Sequence, residues 1–257
     1  MKAYYLEPAE KIAEYVQEIL VMENHQALSP FVLPLFANGT PTLLFQTVKG
    51  QIKNNSNYLT LFGQTVLPDT LTLKGNFTLI AYFLKPHSLV PMFGVRANEL
   101  TNNPIDLNLL LHSKTTGIQD QLLNATSTVQ MLGLLNDFLF KLISKTKTGD
   151  RLIKCATIMI AENPHPKIIR EVQSELCITE RTFQRRFEQY IGVSPNQFRR
   201  ICQFNNAFQQ LNRQRSKSLS EVTFGNGYTD QSHFIRTFRE FTNLTPTEYL
   251  GNGEPSS

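Results

Sequence analysis

Cysteine is scarce in this sequence, and its three cysteines form no evident pair. Cys155, Cys177 and Cys202 make no CxxC motif and cannot complete an even set of disulfides. This usage favours a reducing cytoplasm. Cys155 and Cys202 lie in apolar helical patterns and are predicted to be core residues, whereas Cys177 lies in a predicted turn.

Long apolar segments are also lacking. The longest run, Phe77–Leu84, is far too short to span a bilayer, so no membrane partner is expected. Residues 1–11 contain two glutamates and no apolar stretch, so a signal peptide is not expected either.

Common catalytic and nucleotide-binding motifs are absent from the sequence. There is no GxSxG, P-loop or GxGxxG pattern. Neither HxH nor HExxH occurs, and His25, His87 and His112 are widely spaced, which argues against a metal site. His87 follows Pro86 and is predicted to lie in a surface loop. We therefore expect no metal, no other cofactor and no enzymatic activity.

Positive charge is concentrated in the second half of the chain. Residues 1–150 hold 11 basic and 11 acidic residues, whereas residues 151–257 hold 14 basic and 10 acidic ones. The cation also changes, from ten Lys and one Arg to three Lys and eleven Arg. Arginine has a planar fork that suits phosphates and guanine edges. The alternative is an accident of composition on solvated helix faces.

The first half of the chain reads as β followed by helix. Three short runs, each bounded by Gly, Asn, Asp or Pro, predict strands at Pro41–Val48, Leu59–Leu67 and Phe77–Leu84. Glu10–Met22 fits a helix or a short helix running into a strand. The clearest helix is Ser127–Lys145, whose apolar stripe either packs on the β domain or forms a dimer interface.

A polar break at residues 145–150 is the best domain boundary. We therefore expect a β-rich effector or dimerisation domain at 1–147, a helical domain at 148–250 and a flexible tail at 251–257. The fold class is α+β for the first domain and all-α for the second.

An internal repeat occupies the helical half. Phe183, Arg185, Phe187 and Pro195 recur 51 positions later as Phe234, Arg236, Phe238 and Pro246. Because all four pairs keep the same spacing of 51 positions, the repeat indicates two copies of one supersecondary unit.

Each copy has the anatomy of a helix, a tight turn and a second helix. In the first copy, Ile168–Leu176 is a short amphipathic segment, and Thr179 fits the N-cap of the next helix. In the second, Ser218 and Glu221 form a capping box, and Gly227 allows a turn. Residues 196–212 read as one long connecting helix. Polar and Arg residues near the start of each second helix are typical of the helix-turn-helix, in which that helix enters the major groove.

These segments resemble the DNA-binding domain of AraC-type transcription regulators. The first copy reads Thr179-Glu-Arg-Thr-Phe-Gln-Arg-Arg-Phe187, followed by Gly192-Val-Ser-Pro-Asn-Gln-Phe198. The second reads Val222-Thr-Phe-Gly-Asn-Gly-Tyr-Thr-Asp-Gln-Ser-His-Phe-Ile-Arg-Thr-Phe238. The resemblance covers about residues 150–250, and both halves agree in order and spacing.

The resemblance implies roles for individual side chains. Base-reading positions fall on the two second helices, at Arg181, Gln184, Arg185, Gln231, Ser232, His233 and Arg236. Arg prefers guanine and Gln prefers adenine, which agrees with these positions. Phosphate contacts are expected from four further arginines, Arg186, Arg199, Arg200 and Arg239. Arg185 and Arg236 have a structural alternative, in which each pairs with an acidic neighbour.

The first domain is similar to the sensor-like domains that precede this DNA-binding domain in some regulators, in the stretch from Phe83 to Thr101. That similarity implies a β-rich, cupin-like half-barrel with a ligand-binding or oligomerisation role. The partners implied are duplex DNA, a small-molecule effector, RNA polymerase and a second copy of the chain.

Four positions depart from the AraC-type pattern, namely Gln173, Cys177, Thr223 and Asn243. Gln173 and Cys177 motivate an alternative function, in which the first domain binds or converts a small molecule and the helical domain no longer binds DNA. The arginine-rich second half of the chain argues against this alternative.

Overall fold

The structure is a computed structural model that describes residues 1–110, 117–146, 149–213 and 218–251. Its first part is an antiparallel sheet followed by helices. The strands are β1 (Lys2–Leu6), β2 (Val16–Asn24), β3 (Phe31–Leu35), β4 (Thr42–Ile52), β5 (Asn55–Phe62), β6 (Asp69–Leu73), β7 (Phe77–Leu84) and β8 (Ile105–Asp106). The helices are α1 (Leu89–Phe93), α2 (Leu107–Leu110), α3 (Ile118–Leu123) and α4 (Thr128–Ser144).

The sheet has the order β1-β2-β7-β4-β5-β8, with β6 pairing to both β3 and β4. Strand β7 lies at its centre and pairs with β2 and β4. Both faces of β7 are covered, which explains its continuous apolar run. Ile80 and Tyr82 join one apolar cluster, whereas Leu79 and Ala81 join another on the opposite face.

Helix α4 packs on the first of these faces. Ser127 caps it by accepting a hydrogen bond from the backbone N–H of Gln130. Leu135, Phe138 and Leu139 are buried in the same cluster as Ile80 and Tyr82. The predicted stripe therefore packs mainly on its own β domain, although Val129 at its start stays 80% exposed.

The second part of the chain is all helical. Its elements are α5 (Arg151–Glu162), α6 (Ile168–Glu175), α7 (Glu180–Ile191), α8 (Pro195–Arg213), α9 (Leu219–Gly225), α10 (Gln231–Thr242) and α11 (Pro246–Gly251). The repeated phenylalanines are buried as predicted, and the ring of Phe204 in α8 contacts the rings of Phe238 and Phe241 in α10. Helix α8 thus joins the two repeats through one aromatic core.

The two parts are packed together. Ala37, in the β3–β4 connection, belongs to the core of the helical part, and the Phe36 ring contacts those of Phe208 and Tyr249. The Thr101 hydroxyl donates to the carbonyl oxygen of Gly192 at 2.8 Å. The interface therefore mixes apolar burial with directed hydrogen bonds.

Several sequence predictions need adjustment. Strand β5 ends at Phe62, earlier than predicted. Of the two interpretations of Glu10–Met22, the second is confirmed, because a short 3-10 helix at Glu10–Ile12 leads into strand β2. Cys155 is exposed, although it was predicted to be buried, because the buried face of α5 is formed by Ile153, Ala156 and Ile160.

The prediction that His87 lies at the surface is also wrong. Only 6% of His87 is exposed, because its loop is covered by residues of both parts of the chain.

The predicted boundary at 147/148 and most of the predicted tail lie outside the described residues; Gly251 ends α11. No described helix is long and apolar enough to cross a membrane.

Candidate nucleic-acid interface

The first helix-turn-helix unit consists of α6 and α7. Cys177 occupies the turn with a positive φ of 48°, so it adopts the left-handed conformation that glycine prefers. The backbone N–H of Ile178 then donates to the carbonyl oxygen of Gln173 at 3.1 Å, which ends α6. The turn geometry is therefore kept despite the departures from the AraC-type pattern at both Gln173 and Cys177.

Helix α7 begins after Thr179, but the predicted side-chain cap is not formed. The Thr179 hydroxyl donates to the hydroxyl oxygen of Thr182 at 3.0 Å instead of accepting a backbone N–H. Phe183 and Phe187 face the core with ring centroids 5.4 Å apart. These two rings fix which face of α7 points outward.

The outward face of α7 carries Arg181, Gln184 and Arg185, all exposed. Together with Glu180 and Glu188 they line an open surface depression. The Gln184 amide donates to a Glu188 carboxylate oxygen at 3.1 Å. Within the described residues, neither Arg181 nor Arg185 forms an ion pair, so both guanidinium groups are available to a partner.

The second unit consists of α9 and α10. The predicted capping box is confirmed, because Ser218 accepts from the backbone of Glu221 while the Glu221 side chain accepts from the backbone of Ser218. Gly227 forms the turn with a φ of 71°. Asp230 caps α10 by accepting from the backbone N–H of His233 at 2.8 Å. Two further departures keep normal geometry: the Thr223 hydroxyl bonds the carbonyl of Leu219, and Asn243 takes a left-handed φ of 62°.

The outward face of α10 carries Gln231, Ser232, Arg236 and Arg239, all exposed. Gln231 donates to the Ser220 hydroxyl at 2.6 Å. His233 is half-buried, with its ring against that of Tyr228 at 5.3 Å. Arg236 and Arg239 form no ion pair among the described residues. The two helices thus present the same kind of surface.

Three of the predicted phosphate-binding arginines already have partners in the protein. Arg186 is paired with Asp150, which also caps α5. Arg199 donates to the carbonyl of Pro164 and to Gln203, and burial lowers the pKa of its guanidinium. Arg200 is paired with Glu240. These side chains hold helices together in this structure, so their DNA contacts stay predictions.

A cavity next to the helical part has no strong signal in the sequence. It is apolar, has a volume of about 410 Å³, and lies between the sheet face of Leu79 and Ala81 and residues Phe208 and Tyr249. The apolar run of β7 predicts that the strand is buried, but not that space is left beneath one of its faces. Among the described residues there is no cluster of three or more His, Cys, Asp or Glu side chains that could hold a metal ion.

Comparison with known families identifies the helical part. A family described as a helix-turn-helix domain matches residues 173–252. Residues 173–252 form an AraC-type helix-turn-helix domain. A domain of unknown function (DUF6597) matches residues 4–106, which include most of the sheet.

Two curated relatives each match a little over a third of this chain. The HTH-type transcriptional regulator ArgR of Pseudomonas aeruginosa is 30% identical over 98 residues, which is 38% of this chain and 30% of the relative. An uncharacterised HTH-type transcriptional regulator of Haemophilus influenzae is 30% identical over 101 residues, covering 39% of this chain and 34% of the relative. The chain therefore matches about a third of the length of these relatives.

A solved structure of similar fold covers both parts of the chain. The unsaturated fatty acid-bound structure of wild-type ToxT from Vibrio cholerae matches 98% of this chain and 99% of its own, with a TM-score of 0.51 and 13% identity. At this identity the similarity concerns the fold alone.

Proposed function

We propose that this protein is a transcription regulator that binds duplex DNA in a sequence-specific manner through α7 and α10. The observation that carries the proposal is that both helices expose cationic and amide side chains while burying the paired phenylalanines of the repeat. The two helices would enter successive major grooves, about one helical turn of DNA apart. The helical domain at residues 148–250 would act as the DNA-binding unit.

Exposure divides the predicted contacts into two groups. The exposed side chains without an ion pair among the described residues are the best base-reading candidates, and they are Arg181, Gln184, Arg185, Gln231, Ser232 and Arg236. His233 is half-buried and contributes less surface, whereas Arg239 is exposed and suits a phosphate contact. Arg186, Arg199 and Arg200 would have to exchange a protein partner for a phosphate.

The proposal is tested by fluorescence anisotropy of the full-length protein with a random duplex pool and with the DNA upstream of its own gene, at two salt concentrations. We expect tight binding that weakens steeply with salt and prefers certain sequences. Arg181→Ala and Arg236→Ala should each lower specific affinity by about 1–3 kcal/mol and relax the preference at one position.

Arg213→Ala is the matched control, because Arg213 is exposed at the end of α8 and lies close enough to Tyr5 and Glu18 of the sheet to influence their pKa values. It should leave DNA affinity nearly unchanged. If all three variants lose the same DNA affinity, the interaction depends on net charge alone, and sequence reading by α7 and α10 is rejected.

We also propose that the apolar cavity holds a small-molecule effector. The solved ToxT structure of the same fold is described as bound to an unsaturated fatty acid, and the lining here is mainly aliphatic and aromatic. A ligand in this cavity would touch Phe208 of α8 and Tyr249 of α11, and so reach the DNA-binding part. Oleate, used below the concentration at which it aggregates, is the probe that tests binding in this cavity.

Ala81→Phe fills the cavity from the sheet and should abolish oleate binding measured by isothermal titration calorimetry. Ala9→Phe, at an exposed position, should leave it intact. Oleate binding that survives Ala81→Phe would place the ligand elsewhere and would reject this cavity as the effector site.

The alternative, a helical part that no longer binds DNA, is motivated by the departures at Gln173 and Cys177, and Thr223 and Asn243 depart from the pattern as well. The observed geometry gives it little support, because the turns and hydrogen bonds at these positions are intact. Absence of DNA binding with and without oleate would favour it. Contacts with RNA polymerase and with a second copy stay predictions.

A further inference from the structure

The strand register arranges much of the lining of the apolar cavity in three rows across the sheet. Residues that pair between neighbouring antiparallel strands point to the same face of the sheet. In order along the strands, the rows are Ala3, Met22 and Leu79, then Tyr5, Leu20, Ala81 and Leu44, and then Phe83, Thr42 and Phe62. The first row is entirely apolar, whereas the third contains a hydroxyl group.

Polar side chains collect at the end of the cavity that Thr42 marks. Asn38 lies shortly before Thr42 in the chain, Thr65 lies shortly after Phe62, with which Thr42 pairs, and both line the cavity. The hydroxyl groups of Thr42 and Thr65 form no hydrogen bond within the described residues. The side-chain oxygen of Asn38 accepts from the backbone N–H of Thr40 at 3.0 Å, so its amide N–H groups remain to donate. This polar end can therefore bind one polar group of a ligand.

The lining of the apolar cavity carries no charged side chain in the described part of the chain. Met1, next to the first row and exposed, brings the α-amino group of the chain to the apolar end and not to the polar end. An ionised group that enters the polar end loses its hydration without gaining a counter-charge. A hydroxyl or amide group recovers its hydrogen bonds there, so an uncharged group is favoured.

The charges beside the polar end are unfavourable to an anion. Glu18 pairs with Phe83 of the third row and is half-buried. Burial raises the pKa of its carboxyl group, Glu7 raises it further, and Arg213 lowers it. Among the described residues, two carboxylates thus act on this end against one guanidinium, and a ligand carboxylate would meet net negative charge.

We propose that the effector of the apolar cavity is a neutral amphiphile, a molecule with an apolar body and one uncharged hydrogen-bonding group such as an alcohol or an amide. The body would lie along the first and second rows, and the polar group would bind at Thr42, Thr65 and Asn38. An ionised fatty acid would occupy the same space but bind more weakly. The proposed class rests on the effector role of this cavity and adds the chemistry of its ligand.

Four probes with the same ten-carbon chain test the class without DNA. They are 1-decanol, decanamide, decanoate and decylammonium, and the last two are charged at neutral pH. Each is titrated into the full-length protein by isothermal titration calorimetry, below the concentration at which it aggregates. We expect 1-decanol and decanamide to bind at least about tenfold more tightly than decanoate and decylammonium, because only the charged probes lose hydration without compensation.

Thr42→Val connects the preference to the polar end. Valine keeps the shape of threonine and removes the hydroxyl, so the affinity for 1-decanol should fall about fivefold through loss of one hydrogen bond. Thr70→Val, at an exposed position on β6, is the matched control and should bind 1-decanol normally. Ala81→Phe, which fills the cavity, should abolish binding of 1-decanol.

Glu18→Gln tests the charge beside the polar end. Glutamine keeps the size of glutamate and removes its charge, so the affinity for decanoate should rise about threefold while that for 1-decanol stays unchanged. Glu10→Gln, at an exposed position, is the matched control and should change neither affinity.

Tighter binding of the uncharged probes that weakens in Thr42→Val and is kept in Thr70→Val would establish the ligand class. If decanoate or decylammonium binds as tightly as 1-decanol and the binding is lost in Ala81→Phe, the neutral class is overturned and the effector site stands. An unchanged affinity for 1-decanol in Thr42→Val would overturn the assignment of the polar end. Failure of all four probes to bind, or binding that survives Ala81→Phe, would overturn the effector site itself and the class with it.

Discussion

The contact between Gly192 and the sheet part allows a quantitative test of how firmly the two parts are joined. Gly192 ends α7 with a φ of 95°, and a Cβ placed there would lie 2.6 Å from the Thr101 hydroxyl oxygen and 2.8 Å from the carbonyl oxygen of Ala97. The hydroxyl can rotate away, but the Ala97 carbonyl belongs to the backbone. Gly192→Ala therefore forces either the backbone or the whole interface to move.

The expected loss of stability has two components. A left-handed conformation costs a non-glycine residue about 1–2 kcal/mol, and overpacking a close contact costs about 1–3 kcal/mol. Together they predict a decrease of about 2–5 kcal/mol in the free energy of unfolding, a large share of the 5–15 kcal/mol typical of proteins. Urea denaturation followed by circular dichroism measures it.

Gly94→Ala is the matched control. Gly94 also ends a helix in the left-handed region, with a φ of 73°, but no other atom lies within 4 Å of the position its Cβ would take. It should show only the backbone component of about 1–2 kcal/mol. Equal losses in the two variants would refute the argument, because they would mean that the Ala97 contact yields without resistance.

Three further predictions concern single side chains. Cys177→Gly should raise the free energy of unfolding by about 0.5 kcal/mol, because relief of the left-handed strain slightly exceeds the cost of the greater chain entropy of glycine in the unfolded state. Urea denaturation measures this change, and a decrease would show that Cys177 is not strained. The pKa of His87 is lowered by burial to about 4, so the unfolded state binds the proton first as the pH falls. The free energy of unfolding should therefore decrease by about 1–3 kcal/mol as the pH drops from about 6.5 to 4. His87→Leu should lack this pH dependence in denaturation experiments, and His25→Leu should keep it. If the proposed DNA binding holds, Glu240→Gln should release Arg200 and strengthen both the affinity for random duplex and its salt dependence in anisotropy titrations, whereas an unchanged salt dependence would show that Arg200 does not reach phosphate.

Local patterns predicted the helical part well. The capping box at Ser218 and Glu221, the turn at Gly227 and the buried Phe183 and Phe187 all depend on residues within a few positions of each other. The 51-residue repeat predicted that the two units have the same anatomy. The capping box, the turn and the buried pair are short-range signals, so they can be recognised without a structure.

Long-range packing was not predictable in the same way. His87 follows a proline in a connection, yet it is buried because α5 and α7 pack against its segment. Cys155 fits an apolar helical pattern, yet the helix turns its other side inward. Three predicted phosphate contacts, Arg186, Arg199 and Arg200, have partners that lie between 3 and 40 positions away along the chain. Charge and spacing identify a cation but not its partner.

The position of the β3–β4 connection has a consequence for how the protein unfolds. Ala37 completes the helical core, and a Cβ placed at Gly39 would lie within 4 Å of Phe198, Ile201 and Cys202. Cutting the chain after residue 148 would uncover this apolar surface on the remaining helices. We therefore expect the two units that the sequence distinguishes to share one cooperative melting transition, and a sequence change in the β3–β4 connection to alter the packing of α8.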